Sequence, residues 1–292
     1  MNNQIIPNHL VPAFEACQSL ARSHYENFPV ASFFIPQSKR LAISALYAFA
    51  RTADDFADEP QFASQRLTQL KKWELNLKQA QLGHSTHPFL MAFAFVLKHY
   101  QIPIQLPLKL IQAFRMDLKK KRYTTWNQLH FYCEHSANPI GQILLHIFDI
   151  HDPLLHYYSD FICTGLQFIN FWQDTSRDIK NNRIYYPLEE IKRAKVSIPD
   201  LLALSFNSQT QLLVKNVANY TTCYFNKGTP LLYLLKGRLH LEIKATYFGG
   251  LGILKKIEAM QYNVFQSQPT WKVYEKIALL TRMLFSPNPS LR

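Results

Sequence analysis

Two acidic pairs set inside apolar sequence constrain this chain more than any other feature. Asp54 and Asp58 lie four residues apart, and so do Asp174 and Asp178. On a helix this spacing places both carboxylates of a pair on one face, one turn apart, where like charges repel. Because the flanking residues are apolar and aromatic, an unpaired charge there would be costly to bury. The chain must therefore fold so that something neutralises both pairs.

A polar stripe surrounds each pair. The first stripe combines an aromatic ring, a cation and two carboxylates, at Tyr47, Arg51, Asp54 and Asp58. The second stripe is polar on a helix whose other faces are apolar, at Gln167, Asn170, Asp174 and Asp178. An isolated acidic pair usually lies on a solvated helix face, but polar stripes on apolar helices typically line cavities. Since Mg²⁺ takes carboxylate oxygens and bridges to phosphates, the two stripes predict a Mg²⁺-diphosphate site.

Composition favours an all-helical fold. The 292 residues include 48% hydrophobic and 14% aromatic side chains but only 8 glycines, and helical periodicity runs almost from end to end. The 16 prolines fall mostly where helices are expected to begin or end. There is no repeat and no Gly- or Ser-rich linker. We predict one all-α domain over residues 1–292, a helical bundle around a central cavity.

The periodicity also predicts where the helices lie. We expect helices over 9–25, 39–58, 61–82, 87–100, 105–120, 129–150, 156–179, 188–195, 199–204, 209–226, 229–247, 250–263 and 270–285. Pro139 predicts either a kink or a helix boundary within 129–150. Residues 184–187 are predicted to be extended, because residues that precede a proline avoid the helical region.

Charge and cysteine usage restrict the partners and the compartment. The net charge is +12, and residues 201–292 carry eleven Lys or Arg against three Glu. No nucleic-acid motif accompanies this charge, so ordinary solvated surface and loose peripheral contact with an anionic membrane are the two interpretations.

The longest apolar stretch, Phe89–Leu97, is far shorter than the roughly 18 residues of a spanning helix. Four cysteines without C-x-x-C spacing and a start without signal-peptide layout predict a cytoplasmic protein.

The residues around both acidic pairs resemble those of the squalene/phytoene synthase family. The similarity extends over about residues 10–285 and is strongest in two segments, Tyr47-Ala-Phe-Ala-Arg-Thr-Ala-Asp-Asp-Phe-Ala-Asp-Glu59 and Gln167-Phe-Ile-Asn-Phe-Trp-Gln-Asp-Thr-Ser-Arg-Asp178, the latter continuing to Pro187. Two acidic motifs with these flanks are typical of the family. The resemblance implies an isoprenoid-synthase-type helical bundle that acts on prenyl diphosphates with Mg²⁺.

Two further segments resemble the bacterial hydroxysqualene synthases of hopanoid pathways. They are Glu26-Asn-Phe-Pro-Val-Ala-Ser32 and Tyr132-Cys-Glu-His-Ser-Ala-Asn-Pro-Ile-Gly141. Gln173 stands where the family often has arginine, and Glu134 stands where the condensing enzymes have an aromatic residue. The resemblance therefore implies conversion of presqualene diphosphate and water into hydroxysqualene and diphosphate.

The resemblance also implies roles for individual residues. It implies metal ligands at Asp54, Asp55, Asp58, Asn170, Asp174 and Asp178, with Asp55 in a supporting or water-mediated position. It implies phosphate contacts from Arg51, Arg183 and Tyr185. It implies a cavity lining that includes Tyr47, Gln167 and Asn138, with Asn138 or Gln173 orienting the attacking water.

Two alternatives remain open from the sequence. The chain could condense two prenyl diphosphates, as a presqualene diphosphate, dehydrosqualene or phytoene synthase does. It could also be a non-catalytic assembly relative, although such a protein is expected to have lost some of the aspartates that this chain retains. Neighbouring enzymes of the same pathway are the expected protein partners.

Overall fold

The structure is a computed structural model that describes residues 6–23, 35–272 and 275. Within these residues the regular secondary structure is helical, apart from one isolated parallel bridge between Arg122 and Ile184. The all-α prediction is therefore confirmed. The segment Glu26–Ser32 and nearly all of the helix predicted at 270–285 lie outside the described residues.

Fourteen α-helices are present in the described part of the chain. They are α1 Val11–Ser23, α2 Gln37–Asp58, α3 Arg66–Gln81, α4 Pro88–His99, α5 Gln105–Lys119, α6 Trp126–Ser136, α7 Asn138–Ile147, α8 Pro153–Gln173, α9 Thr175–Lys180, α10 Leu188–Arg193, α11 Ile198–Leu202, α12 Ser208–Gly228, α13 Pro230–Leu234 and α14 Gly237–Ala259. Short 3-10 turns cover Asn8–Leu10 and Pro60–Phe62.

Two predicted helices divide differently in the structure. The helix predicted at 129–150 is two helices separated by Ala137, so Pro139 lies in the first turn of α7. The helix predicted at 156–179 is interrupted at Asp174, where the Thr175 hydroxyl donates back to the Phe171 and Trp172 carbonyls. Back-bonding of this kind competes with the helical hydrogen bonds and bends a helix.

The prediction of a helix boundary near the glycines at 249–250 is wrong. Helix α14 runs unbroken through them, and the actual break lies earlier, at the extended residues Leu235 and Lys236. A Cβ on Gly250 would lie 2.7 Å from Cζ of Phe225. Gly250 therefore serves close packing of α14 rather than ending a helix.

Residues 1–119 and 139–156 make up one compact unit, unit 1, of which we describe the residues given above. Its core contains a face of small residues on α2, at Ala42, Ala45, Ala48 and Ala53. Phe49 of the same helix stacks on Phe93 of α4, with ring centroids 4.6 Å apart. These contacts fix α2, the helix that carries the first acidic pair.

Residues 120–138 and 157–292 make up the second compact unit, unit 2. Its core includes the fully buried side chains of Phe168, Trp172 and Phe225. The Trp172 indole N–H donates to the Thr221 hydroxyl at 2.8 Å, which ties α8 to α12. In the predicted extended segment 184–187 no residue is helical, and Ile184 pairs with Arg122 in the parallel bridge, its N–H donating to the Lys121 carbonyl at 3.0 Å.

The prediction of a single domain over 1–292 is not tested by this division and stays a prediction. None of the helices in the described part of the chain is long and apolar enough to cross a membrane.

Candidate functional site

The last two turns of α2 and the residue that follows them carry the first acidic patch, which consists of Arg51, Asp54, Asp55, Asp58 and Glu59. The Arg51 guanidinium lies among three carboxylates: its Nη1 is 3.2 Å from Asp54 Oδ2, and its Nη2 is 2.8 Å from Asp55 Oδ1 and 3.8 Å from Glu59 Oε1. One guanidinium therefore serves three carboxylates. Among the five residues that define the patch, acidic side chains outnumber cations.

The surroundings of Asp54 in the first patch disfavour its ionised form. Burial and the negative charge of Asp58 together raise the pKa of Asp54 to about 6, against the lowering effect of Arg51. Burial also raises the pKa of Tyr47, two turns earlier on α2, and Arg51 opposes that shift too. A cation bound at Asp54 would favour its ionised form.

Asn170, Asp174 and Asp178 form the second acidic patch, at the junction of α8 and α9. Asp174 lies between the two helices, yet its N–H donates to the Asn170 carbonyl and its own carbonyl accepts from the Asp178 N–H, both at 2.9 Å. These helical hydrogen bonds keep the three residues one turn apart across the junction. The predicted polar stripe is thus retained although the helix is interrupted.

Donors from two parts of unit 2 engage the Asp174 carboxylate. Arg177 Nη2 lies 2.5 Å from Oδ2, and Gln268 Nε2 lies 2.5 Å from Oδ1. The adjacent Gln173 donates from Nε2 to the Pro269 carbonyl, also at 2.5 Å. Sequence reasoning missed Gln268, which lies 94 positions from Asp174. Arg177 could have been found, because it is three residues from Asp174 on a helical pattern.

The remaining predicted site residues of unit 2 are Asn138, Gln167, Arg183 and Tyr185. Asn138 is buried, and its Oδ1 accepts a hydrogen bond from the Thr164 hydroxyl at 2.9 Å. The Tyr185 ring is buried and stacks on Phe171 with centroids 3.8 Å apart. Gln167 on α8 is partly exposed, and the Arg183 N–H donates to the Asp178 carbonyl at 2.7 Å. Their predicted roles in substrate binding stay predictions.

The donor set of both patches consists of carboxylate and amide oxygens, which suits Mg²⁺. The raised pKa of Asp54 also indicates negative charge that a cation would compensate. Within the described residues, no group of three or more His, Cys, Asp or Glu side chains has an arrangement that would hold a metal ion. The predicted ligands thus suit Mg²⁺ by the chemistry of their oxygens but, in the part of the chain that the structure describes, are not gathered into a metal-binding arrangement, and the Mg²⁺ site stays a prediction.

Comparisons with known proteins agree with the resemblance seen in the sequence. The model of the squalene/phytoene synthase family matches residues 21–275. A hydroxysqualene synthase of Sinorhizobium fredii is 33% identical over 77% of this chain and 77% of its own length. A hydroxysqualene synthase of Rhodopseudomonas palustris is 34% identical over 75% of this chain and 74% of its own length.

A solved structure matches the fold as well. The squalene synthase HpnC of Alicyclobacillus acidocaldarius superposes with a TM-score of 0.85 at 35% sequence identity, covering 88% of this chain and 97% of that protein. The family match thus spans most of the chain, and relatives above 30% identity cover about three quarters of it. The chain therefore belongs to the squalene/phytoene synthase family, whose members are enzymes that process prenyl diphosphates.

Proposed function

We propose that this chain converts presqualene diphosphate and water into hydroxysqualene and diphosphate in a Mg²⁺-dependent reaction. The observation that carries the proposal is the first acidic patch, where one guanidinium lies among three carboxylates and burial with the Asp58 charge raises the pKa of Asp54 to about 6. That excess of negative charge favours a divalent cation. The substrate is inferred from the two hydroxysqualene synthases that the chain resembles.

The residues that would hold the metal are Asp54 and Asp58, with Asp55 in support, and Asn170, Asp174 and Asp178. When bound, Mg²⁺ supplies positive charge that stabilises the departing diphosphate without proton transfer. Because the pKa of Asp54 is raised, its carboxyl must lose a proton before it can ligate at lower pH.

The chain's own cations and hydroxyls would bind the diphosphate oxygens. Arg51 and Arg183 suit this role because the planar guanidinium donates two hydrogen bonds at once. Tyr185 would add a hydroxyl donor. In this structure the Arg51 guanidinium contacts both Asp54 and Asp55.

In the reaction the bond between the cyclopropylcarbinyl carbon and the diphosphate oxygen breaks, and its electron pair leaves with diphosphate. The carbocation rearranges, a water oxygen bonds to carbon, and the added water loses one proton. Tyr47 and Gln167 would line the cavity that excludes other water, and the aromatic face of Tyr47 favours a cation. Asn138 or Gln173 would orient the attacking water through a side-chain amide.

The deciding experiment incubates the purified protein and Mg²⁺ with presqualene diphosphate, and in parallel with farnesyl and geranylgeranyl diphosphate, followed by extraction of the products. Hydroxysqualene from presqualene diphosphate supports the proposal. Coupling of farnesyl or geranylgeranyl diphosphate in its place would show that the chain is a condensing enzyme. No turnover of any substrate, together with an unchanged melting temperature on adding Mg²⁺ and inorganic diphosphate, would favour the assembly-protein alternative.

We also propose peripheral contact with an anionic membrane, together with neighbouring enzymes that deliver and remove apolar isoprenoids. The support is the net charge of +12, concentrated towards residues 201–292. Sedimentation with phosphatidylglycerol vesicles, compared with phosphatidylcholine vesicles, tests this. Equal binding to both vesicle types would rule out an electrostatic contact.

A further inference from the structure

Residues 264–272, which we name the strap, follow α14 and lie against the second acidic patch. Gln268 of the strap donates from Nε2 to Oδ1 of Asp174, and the Pro269 carbonyl accepts from Nε2 of Gln173, both at 2.5 Å. Two consecutive strap residues thus hold two consecutive residues at the end of α8. The hydrogen bond to Asp174 is charge-assisted, because its acceptor is a carboxylate.

A second anchor holds the strap on α14. The Trp271 indole lies directly over Gly252, where a Cβ atom would collide with the ring, so only glycine leaves room for it. Lys256, one turn further along α14, has its ammonium 5.2 Å from the Trp271 ring centroid. The same ammonium is 2.5 Å from Oε1 of Glu275, so the chain is tied to α14 just beyond the strap too.

The strap engages the residues that the proposed function needs. Asp174 is a proposed Mg²⁺ ligand, and Gln173 is one of the two amides proposed to orient water. In this structure Asp174 Oδ1 accepts from the strap and Oδ2 accepts from Arg177. Mg²⁺ demands near-octahedral geometry with ligands at about 2.0–2.1 Å and usually retains several waters. An amide nitrogen in hydrogen-bond contact with Oδ1 occupies space that this shell would need.

We propose that the strap is a latch: Gln268 and Pro269 hold Asp174 and Gln173 as in this structure, and they release both residues when Mg²⁺ and diphosphate bind. This inference rests on the proposed function of Asp174 as a metal ligand. The Gln268 amide is neutral and binds Asp174 more weakly than a divalent cation would, so binding of the metal displaces it. Release of Gln268 and Pro269 then frees the Gln173 amide at the same step. Gln268 is a positioning residue, since it acts through Asp174.

The first test measures the affinity for Mg²⁺ with inorganic diphosphate by titration calorimetry. In Gln268→Ala the metal no longer competes with the strap, so the affinity should rise about three- to tenfold, which corresponds to the net free energy of a typical hydrogen bond. Gln266→Ala is the matched control, because Gln266 lies in the strap and accepts from Asn263, which precedes the strap. Its affinity should equal that of the wild type. An unchanged or weaker affinity in Gln268→Ala overturns the latch.

The second test follows the strap itself through Trp271 fluorescence. Adding Mg²⁺ and diphosphate to the wild type should change the emission, because the indole leaves Gly252 and the Lys256 ammonium. The same titration of Trp271→Phe measures the contribution of the other tryptophans and should lack this change. Gly252→Ala should give the released emission before any metal is added. A wild-type spectrum that metal and diphosphate leave unaltered overturns the proposal.

Failure of the latch can be told from failure of the proposed function. If the wild type, Gln268→Ala and Gly252→Ala all fail to bind Mg²⁺ and diphosphate, the assignment of Asp174 as a ligand is wrong. If all three bind equally well and Asp174→Asn does not, the metal site stands and the latch is refuted.

Discussion

The two acidic patches share their four-residue spacing but balance their charge by different means. In the first, Arg51 lies on the same helix as Asp54 and Asp55 and reaches both of them. In the second, Asp174 accepts from Arg177, which is close in sequence, and from Gln268, which comes from a remote strap. The cation of the first patch therefore comes from the same helix, whereas one partner of the second patch is brought in by tertiary structure.

This difference has a chemical consequence. In the first patch one guanidinium faces several carboxylates, and burial together with the Asp58 charge raises the pKa of Asp54 to about 6. In the second patch, a neutral amide and an exposed guanidinium take up both oxygens of one carboxylate. The first patch thus offers a metal a carboxyl group whose ionised form is disfavoured in the protein. The second offers a carboxylate that must first exchange its partners.

The largest expected effect comes from removing a proposed ligand in either patch. Asp54→Asn or Asp174→Asn should lower kcat/KM by about a hundred- to a thousandfold. Each variant loses a proposed metal ligand, and with it positive charge that would stabilise the departing diphosphate. Circular dichroism should show an intact fold. Asp149→Asn, at an exposed aspartate paired with Lys39, serves as the control and should keep its activity. Unchanged turnover in either patch variant would remove that patch from the metal site.

A smaller effect should appear in the pH dependence of stability, and Asp54 should account for it. Its folded pKa of about 6 lies above the ordinary value of 3.8, so the folded state holds the proton more tightly. The free energy of unfolding should therefore fall as the pH rises from about 4 to 6. A tenfold change in a proton-binding constant is worth roughly 1.4 kcal/mol. Because Asp54 is partly exposed and solvent screens its charge, we expect a fall of about 1 kcal/mol.

Urea unfolding at several pH values measures this step in the metal-free protein. Asp54→Asn should remove it, while Asp174→Asn should leave it in place. If Asp54→Asn keeps the same pH dependence as the wild type, Asp54 does not carry the excess charge of the first patch.

The next smaller effect is expected on the pKa of Asp54 when Arg51 is replaced. Its positive charge is the one that lowers the pKa of that carboxyl, so Arg51→Gln should raise the pKa further. Carbon NMR titration of labelled aspartate carboxyls measures the change. Arg66→Gln is the control, since Arg66 donates to the backbone carbonyl of Asp58. A lower pKa in Arg51→Gln would contradict local balancing.

The smallest effect is expected at Arg177. Its side chain is 68% exposed, and exposed ion pairs contribute about 0–1 kcal/mol. Arg177→Ala should therefore change kcat/KM less than about threefold in a steady-state assay. A tenfold loss would show that the second patch, like the first, depends on a neighbour close in sequence.

Much of the fold followed from local pattern. The helical spacing of apolar residues and the positions of the prolines predicted most helices, including α2 and α8, because burial of one apolar face imposes the helical repeat. The pattern failed at Asp174, where a threonine hydroxyl interrupts the helix, and at Gly250, where close packing against Phe225 explains the glycine. Both failures come from contacts that spacing along the chain does not reveal.

The candidate site divides in the same way. The stripe of Arg51, Asp54 and Asp58 could be predicted, since helical spacing alone brings its members together. The raised pKa of Asp54 could not, because it depends on how deeply α2 is packed. The contact of Gln268 with Asp174 could not be predicted from a local sequence motif, because the two residues lie 94 positions apart.

The helices, the two acidic stripes and the family could be inferred from the order of neighbouring residues. The groups that neutralise Asp174, and the reason why Gly252 must lack a side chain, became apparent only in the packed molecule. Burial and hydrogen bonding act through space and not along the chain. Residues far apart in the chain, such as Asp174 and Gln268, meet only after the helices have packed.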